Sequence, residues 1–577
     1  MLKKLCLKKT NSRITILSII IIIFVGLLLW RLIHLQIVEA DELTEKAKYQ
    51  QQKTIKIASK RGLIVDRKGS ELAIDIKSYS LFAQPDDFKE SLVEIANKLS
   101  PVIDEKPDTL LNKLKGKNFR WIKRKFDESI AKQVRKLKIP GLGLIEESKR
   151  TYPQKTLAAN LIGFTGIDNQ GLSGIEDSFD YFLRGGFNPE EKVGTDALGQ
   201  EILRANGIPV LFESNQANKI ILTIDKNIQY IAERELSKGV KDLEALRGCA
   251  IVMNVKTGDL FALATYPTFD PNDISKQNWQ NIKNWAITDF YEPGSTMKIF
   301  TLAAALEDKK TRMDESILCP GVIKIEGWLV HDHGMGAGDS RTLTPTQIIK
   351  VSSNVGISQL GRRMTPQRHR QLLEQFGFGK VTRSGLSGEV PGILPSLPWR
   401  PSRQSTICFG QSVTVTPLQI VTAATAIANN GIKVDPNIIQ KIVSPKGKVL
   451  YNPSSHSIQS MSSDVAQKML KMMTEVVQKE GGTGGMARVP GYTIGGKTGT
   501  ADKVVDGHYR GDVMSSFLGI VPIENPQFII FVLLDSPKKQ HFASVTAAPI
   551  FQKIAQYTLR YLNIVPTKPE ELKKEKD

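Results

Sequence analysis

Residues 492–501 read YTIGGKTGTA. The run is strand-like from Tyr492, yet Gly495 and Gly496 fall inside it. Glycine weakens a strand interior and often marks the close approach of a ligand or another backbone. Lys497, Thr498 and Gly499 follow: a cation, a hydroxyl and a residue with no side chain. Such a trio can line a carboxylate-binding site, and it can equally make a surface turn. The same tripeptide stands at 256–258, inside CAIVMNVKTGDLFALATY (249–266). There two hydrophobic β-rich runs flank it, so the first copy reads as the turn of a hairpin and needs no chemistry.

Around the second copy the pattern continues. SSFLGIV (515–521) and QFIIFVLL (527–534) read as two more strands, and AAPIFQKIAQYTLRYL (547–562) as a closing amphipathic helix. Upstream, IILTIDKNIQYIAERELSKGV (220–240) runs from a strand signal into a helix. Residues 220–562 therefore sketch an antiparallel sheet whose first two strands come early and last three late, with a long helical insertion between them.

That insertion contains DFYEPGSTMKIFTLAAALED (289–308). Pro293-Gly294 breaks the chain, and Ser295 then opens a helix that is apolar on nearly every face from Ile299 to Leu306. Ser295 and Lys298 are one turn apart on the same face. A serine needs a base to become a nucleophile, and a lysine serves only if burial and a second cation disfavour its ammonium form. Ser129–Lys132 and Ser536–Lys539 share the spacing, but the first lies in a charge-rich stretch and the second contains Pro537. Further on, Ser352-Ser353-Asn354 ends a helical stretch, where Ser and Asn are ordinary turn residues when taken alone.

Size and charge bound the rest. The 577 residues exceed what one core organises, and a net charge of +19 describes either a solvated basic surface or attraction to an anionic partner. No zinc-finger spacing or aromatic-basic RNA signature supports nucleic acid as that partner. Lys3, Lys4, Lys8, Lys9 and Arg13 precede an uncharged run from Ile14 to Trp30, and Glu39, Asp41, Glu42 and Glu45 follow it. The run spans about 26 Å as a helix, near the low end for crossing a bilayer. Arg31 and His34 separate it from the small-residue VEA at 38–40, so a retained anchor is expected over a cleaved signal, with the N-terminus cytoplasmic. Cys249, Cys319 and Cys408 fall on the outer side, an odd number without metal-site spacing, and are expected to be free and buried. The lysine-rich end, KPEELKKEKD, reads as a frayed tail.

A Ser-x-x-Lys on a buried helix, a Ser-x-Asn and a glycine-flanked Lys-Thr-Gly strand, in this order, resemble the motif set of the penicillin-recognising serine acyltransferases. The chain is similar to one branch of them, the class B penicillin-binding proteins. The resemblance covers most of the chain: RGLIVDRKGSELA (61–73), YPQKTLAANLIGFTGIDNQGLSGIED (152–177), TIDKNIQ (223–229), YEPGSTMK (291–298), SSN (352–354), VTPLQ (415–419) and GGKTGTA (495–501). The stretch KVGTDALGQEI (192–202) fits poorly, and no function is carried onto it. RGLIVDR reads as a domain-packing segment in which Arg61, Asp66 and Arg67 pair.

The resemblance implies an α+β fold. A basic tail (1–13) would precede a transmembrane anchor (14–33) and an elongated, non-catalytic pedestal of dimerisation type (34–219). A transpeptidase domain (220–562) would follow, with a five-stranded antiparallel sheet, helices on both faces and an all-helical subdomain, and then a charged tail (563–577). Ser295 would be acylated, with Lys298 as its base and Ser352 relaying a proton to the leaving amine. Lys497 would supply positive potential, Asn354 would bind a substrate amide, Thr498 and Thr500 a carboxylate, and Gly499 would permit close approach. The N–H groups of Ser295 and Thr500 would form the oxyanion hole. The implied reaction is D,D-transpeptidation of D-Ala-D-Ala stem peptides outside the plasma membrane, with no cofactor or metal. β-Lactams would be its inhibitors, and a membrane glycosyltransferase and other division proteins its partners. An elongation-type enzyme, a β-lactam sensor and a non-enzymatic scaffold remain as alternatives.

Overall fold

A computed structural model describes residues 2–40, 60–116, 119–184, 217–275, 277–505 and 508–573, so the stretch 192–202 lies outside the described residues. The described residues divide into two units, 2–40 and 60–573. In the first, Leu2–Ile33 form one helix that continues as a π-helical turn through His34–Val38. Ile14–Val38 has a mean hydropathy of 2.8, and its 25 residues are enough to cross a bilayer core of about 30 Å.

The second unit begins with the pedestal. Strand β2 (Glu71–Ala83) pairs antiparallel with β1 (Ile64–Val65), β3 (Arg120–Phe126) and β4 (Leu142–Thr151). Helices Leu92–Ile103, Pro107–Leu114 and Glu128–Leu137 contribute Ile95, Leu99, Leu110 and Ala131 to a core shared with Leu81 and Ile122. Ser91 starts the first of them with a reciprocal capping box to Glu94. Strand β5 is Lys219–Leu222.

The sheet of the second half has the order β16-β17-β18-β6-β7, antiparallel throughout. Strands β6 (Arg247–Asn254) and β7 (Leu260–Tyr266) come first. The turn between them holds the first Lys-Thr-Gly, with Gly258 at φ +73, as turn chemistry requires. The insertion follows, and it corrects the expectation of an all-helical subdomain. Beside its helices it carries three two-stranded ribbons: β8 (Ile317–Pro320) with β11 (Ser340–Leu343), β9 (Val322–Ile325) with β10 (Trp328–His331), and β12 (Ile432–Val434) with β15 (Ser457–Gln459). Strands this short leave no periodic signature in sequence. The late strands are β16 (Gly495–Val505), β17 (His508–Val521) and β18 (Phe528–Asp535). Every residue of β18 is buried, because helices cover both faces. Lys226–Asp242 and Ala547–Tyr561 pack on one side and the wholly buried Pro417–Ala428 on the other.

Two expectations of where segments end are corrected. The division at 219/220 falls inside a sheet: β5 pairs in parallel with β1 and antiparallel with β13 (Ile439–Val443), which carries β14 (Val449–Tyr451). Strand periodicity revealed β5 but not its partners. The charged tail is also attached. Tyr492 Oη donates to the carbonyl of Ile564 at 2.6 Å, the Lys568 N–H bonds Gly491 at 2.9 Å, and Pro569–Lys573 form a helical turn.

Arg61, Asp66 and Arg67 do not pair with one another. Arg61 ion-pairs with Glu176 and Asp180, and Arg150 reaches Glu176 at 2.6 Å and Asp75 at 3.2 Å, so two buried arginines share one buried glutamate. Asp66 instead accepts the N–H groups of Lys68, Ser70 and Lys226, and Arg67 lies 3.9 Å over the Phe261 ring of β7. The segment packs the two halves together: Arg61 and Arg67 reach distant partners, while Asp66 takes N–H groups both from its own turn and from Lys226.

Replacing Arg150 with Met would leave the cluster's carboxylates short of a cation in a dry site. A loss of about 3–5 kcal/mol is expected in urea unfolding. A loss below about 1 kcal/mol would show that the cluster contributes no more than a surface pair does.

Candidate active site

The turn Gly294–Thr296 leads directly into the helix Met297–Glu307, whose residues from Met297 to Leu306 are all buried. Gly294 has φ +53 and is wedged in place. A Cβ on it would sit 2.8 Å from that of Ala501, and a Cβ on Gly410 would meet the Gly294 carbonyl at 2.1 Å. Ser295 therefore emerges at the floor of a cavity of about 570 Å³, with Ser352, Asn354, Thr498 and Thr500 also in its lining.

Lys298 and Lys497 lie beneath that floor, both fully buried. Lys298 Nζ donates to the Ser352 carbonyl at 2.5 Å and to its Oγ at 3.1 Å. Lys497 Nζ reaches the same Oγ at 3.0 Å and the Thr498 carbonyl at 3.0 Å. Burial pulls the Lys298 amine well below the ordinary lysine value, and the neighbouring Lys497 charge adds to this while Asp332 opposes it. Burial brings Lys497 down to about 7. Among the described residues Ser295 Oγ makes no hydrogen bond to Lys298. The amine is aimed at Ser352 instead.

Ser352 can take both amines because it ends the helix Pro345–Val351 in the left-handed region, at φ 61 and ψ 43. That conformation is uncommon for a residue with a Cβ, and it turns the carbonyl toward Lys298. Asp332, which sequence reasoning missed, and Ser353, which it quoted without a role, hold the corner. Buried Asp332 accepts from Ser353 Oγ at 2.6 Å, the Val355 N–H at 2.9 Å and Arg341 at 2.8 Å. Ser353 in turn caps the next helix through the Gly356 N–H at 2.9 Å. Asn354 Nδ2 donates to the His331 carbonyl at 3.0 Å. Nothing near Asp332 in sequence signals this role, since its partners join it only by folding.

The second Lys-Thr-Gly lies on β16, the edge of the sheet, so alternate N–H groups face away from β17. Thr498 Oγ1 bonds Thr483 Oγ1 at 3.0 Å, and Thr500 Oγ1 accepts the Ala543 N–H at 3.3 Å. Gly499 is not in the cavity lining. A Cβ there would lie 2.8 Å from Thr296 Cγ2 and 2.5 Å from Ser516 Oγ, so its close approach is to the turn that carries Ser295. Cys249, Cys319 and Cys408 are free and buried.

A cavity with an accessible serine, two water-excluded amines meeting at a second hydroxyl, and threonines on a sheet edge is equipped for acyl transfer from a donor that ends in an anion. Comparison with known proteins agrees. Residues 248–556 match the penicillin-binding protein transpeptidase domain, and 56–210 the penicillin-binding protein dimerisation domain. The probable peptidoglycan D,D-transpeptidase PenA of Neisseria meningitidis serogroup A is 35% identical over 569 residues, which cover 97% of this chain and 94% of that protein. The peptidoglycan D,D-transpeptidase FtsI of Escherichia coli K12 is 31% identical over 565 residues, covering 95% and 91%. The structure of penicillin-binding protein 3 from Mycobacterium tuberculosis in complex with aztreonam superposes with a TM-score of 0.69 at 28% identity, covering 89% of this chain and 98% of that one. The matched domain is that of the serine-type acyltransferases. The chain belongs to the class B penicillin-binding proteins, which join a dimerisation domain to a transpeptidase domain.

The buried Lys497 has a consequence for stability. Its folded value of about 7 lies below the unfolded 10.5, so between them the unfolded chain binds the extra proton. Stability should therefore rise with pH across that window, and the contribution is lost as pH falls toward 7. Urea unfolding of wild type and Lys497→Met at several pH values is expected to show the wild type gaining relative to the variant from neutral to alkaline pH. A difference that stays constant would contradict the burial.

Proposed function

We infer that this protein is a peptidoglycan D,D-transpeptidase acting by a serine acyl-enzyme, and that Ser295, Lys298, Ser352 and Lys497 carry the reaction. The observation that supports it most is the meeting of both lysine amines at Ser352 Oγ beside Ser295. Ser295 Oγ attacks the carbonyl of the penultimate D-Ala as neutral Lys298 takes its proton. The carbonyl oxygen becomes an oxyanion, held by the N–H groups of Ser295 and Thr500. Ser352, whose Oγ accepts from both amines, has its own O–H left to give to the leaving amine, and Lys298 replaces that proton. The amide C–N bond breaks, terminal D-Ala departs, and an ester to Ser295 remains. A neutral amine of a neighbouring stem then attacks the ester, forming the cross-link and returning the proton to Ser295. Thr498 and Thr500 bind the donor carboxylate under the potential of Lys497, and Asn354 binds a substrate amide.

A β-lactam meets the same attack: Ser295 Oγ forms an ester with its carbonyl, the ring C–N bond breaks and takes up the proton, and the tethered amine keeps the acyl group on Ser295. The topology that suits this chemistry keeps residues 1–13 in the cytoplasm, 14–33 in the plasma membrane and the catalytic half outside, with the pedestal meeting a glycosyltransferase and other division proteins. Similarity to FtsI over nearly the whole chain favours division over elongation. Depleting the protein should give undivided filaments, and rounded cells would favour elongation instead.

The reaction is tested with the full chain in detergent and a fluorescent penicillin. Ser295→Ala should abolish labelling, and Lys298→Ala should slow it by at least about a thousandfold. Labelling that survives Ser295→Ala rejects the assignment. Release of D-Ala from a stem peptide separates an enzyme from a sensor. Because neutral Lys298 is the base and its value is depressed by burial, acylation should rise with pH and reach half its maximum far below the ordinary lysine value of 10.5. A midpoint near 10.5 would remove Lys298 from that role.

A further inference from the structure

The cavity is not symmetric about its carboxylate-binding face. Along β16 its lining begins at Thr498 and runs through Thr500 and Ala501 to Asp502. Thr483 also lines the cavity and bonds Thr498 at 3.0 Å, at the end of this lining away from Asp502. Side chains two apart on a strand share a face, which places Asp502 on the same face as Thr498 and Thr500, about 7 Å beyond Thr500.

Asp502 is the only carboxylate among the described residues of this lining. Its side chain is exposed and takes no ion pair or hydrogen bond from the described residues. The adjacent Lys503 does not neutralise it, being turned to buried Asp535 at 2.7 Å. Val513, opposite Asp502 in the strand register, forms the neighbouring wall. A carboxylate on the wall of a partly enclosed cleft attracts a cation and repels an anion more strongly than it would in bulk water.

We propose that Asp502 forms a cation subsite beside the carboxylate site, selecting acyl donors whose acyl part carries a protonated amino group. This rests on the acyl-transfer reading of the site and adds a charge preference to it. A stem peptide with a free ammonium near the reacting residue fits; one presenting a carboxylate there is disfavoured.

Three penicillins isolate the effect. Ampicillin, benzylpenicillin and carbenicillin differ at one acyl carbon, which bears an ammonium, a hydrogen or a carboxylate. The readout is the ratio of the ampicillin to the carbenicillin acylation rate constant, each normalised to benzylpenicillin. For the full-length protein this ratio should exceed that of Asp502→Asn by at least about fivefold, and Asp502→Lys should lower it further. In wild type alone the ratio should fall as salt is raised to about 1 M, so the test survives variants that do not fold. Ratios within about twofold across the three proteins, or a wild-type ratio indifferent to salt, overturn the subsite. Failure of all three penicillins to acylate the wild type overturns the acyl-transfer reading itself.

Discussion

The hydroxyl of Ser352 stands between two lysine amines, at 3.1 Å from Lys298 and 3.0 Å from Lys497, and both amines are shut off from water. Two full charges so close together would repel strongly, and neither has solvent to screen it. At least one amine must therefore give up its proton near neutrality. That constraint disfavours the ammonium form at the paired amines, in line with the lowered values of both lysines. The helix Met297–Glu307, buried on every face, supplies the dryness on one side. On the other, β16 is backed by the sheet and by the helix Ser463–Gln478.

Holding the Ser352 oxygen between the amines demands a corner that the local sequence would not adopt by itself. Ser352 lies in the left-handed region, and the cost is offset by the Asp332 hub, which fixes Ser353, Val355 and Arg341 together. A buried carboxylate with three donors is stable where one with fewer would not be. The same hub places the His331 carbonyl on Asn354, so the corner and one rim of the cavity are set by one ribbon. On the far side, Gly294, Gly410 and Gly499 let the serine turn, the 409–411 segment and β16 approach within distances that no Cβ permits.

The two halves of the second unit are coupled more closely than a linker would allow. Strands β1 and β5 pair in parallel, β13 joins from the insertion, and Arg67 lies over Phe261 of the catalytic sheet. Such shared backbone hydrogen bonds make the pedestal part of the scaffold that carries the site.

Much of this was legible in the chain. The hairpin around the first Lys-Thr-Gly, the strands before and after the second, the buried serine helix and the apolar N-terminal helix all follow from local periodicity and turn residues, which act over a few residues and so survive in sequence. Ser295 and Lys298 stand out by residue type and spacing on an apolar helix, whereas the rest of the candidate site follows only from the resemblance to a known family. What folding alone decided is which distant groups meet: that Lys298 points to Ser352 and not to Ser295, that Arg61 pairs with Glu176 and not with Asp66, that β5 joins the pedestal sheet, and that Asp332 holds the corner. Those outcomes depend on contacts between residues tens to hundreds of positions apart, formed where burial leaves a polar group no other partner, and no local pattern encodes them.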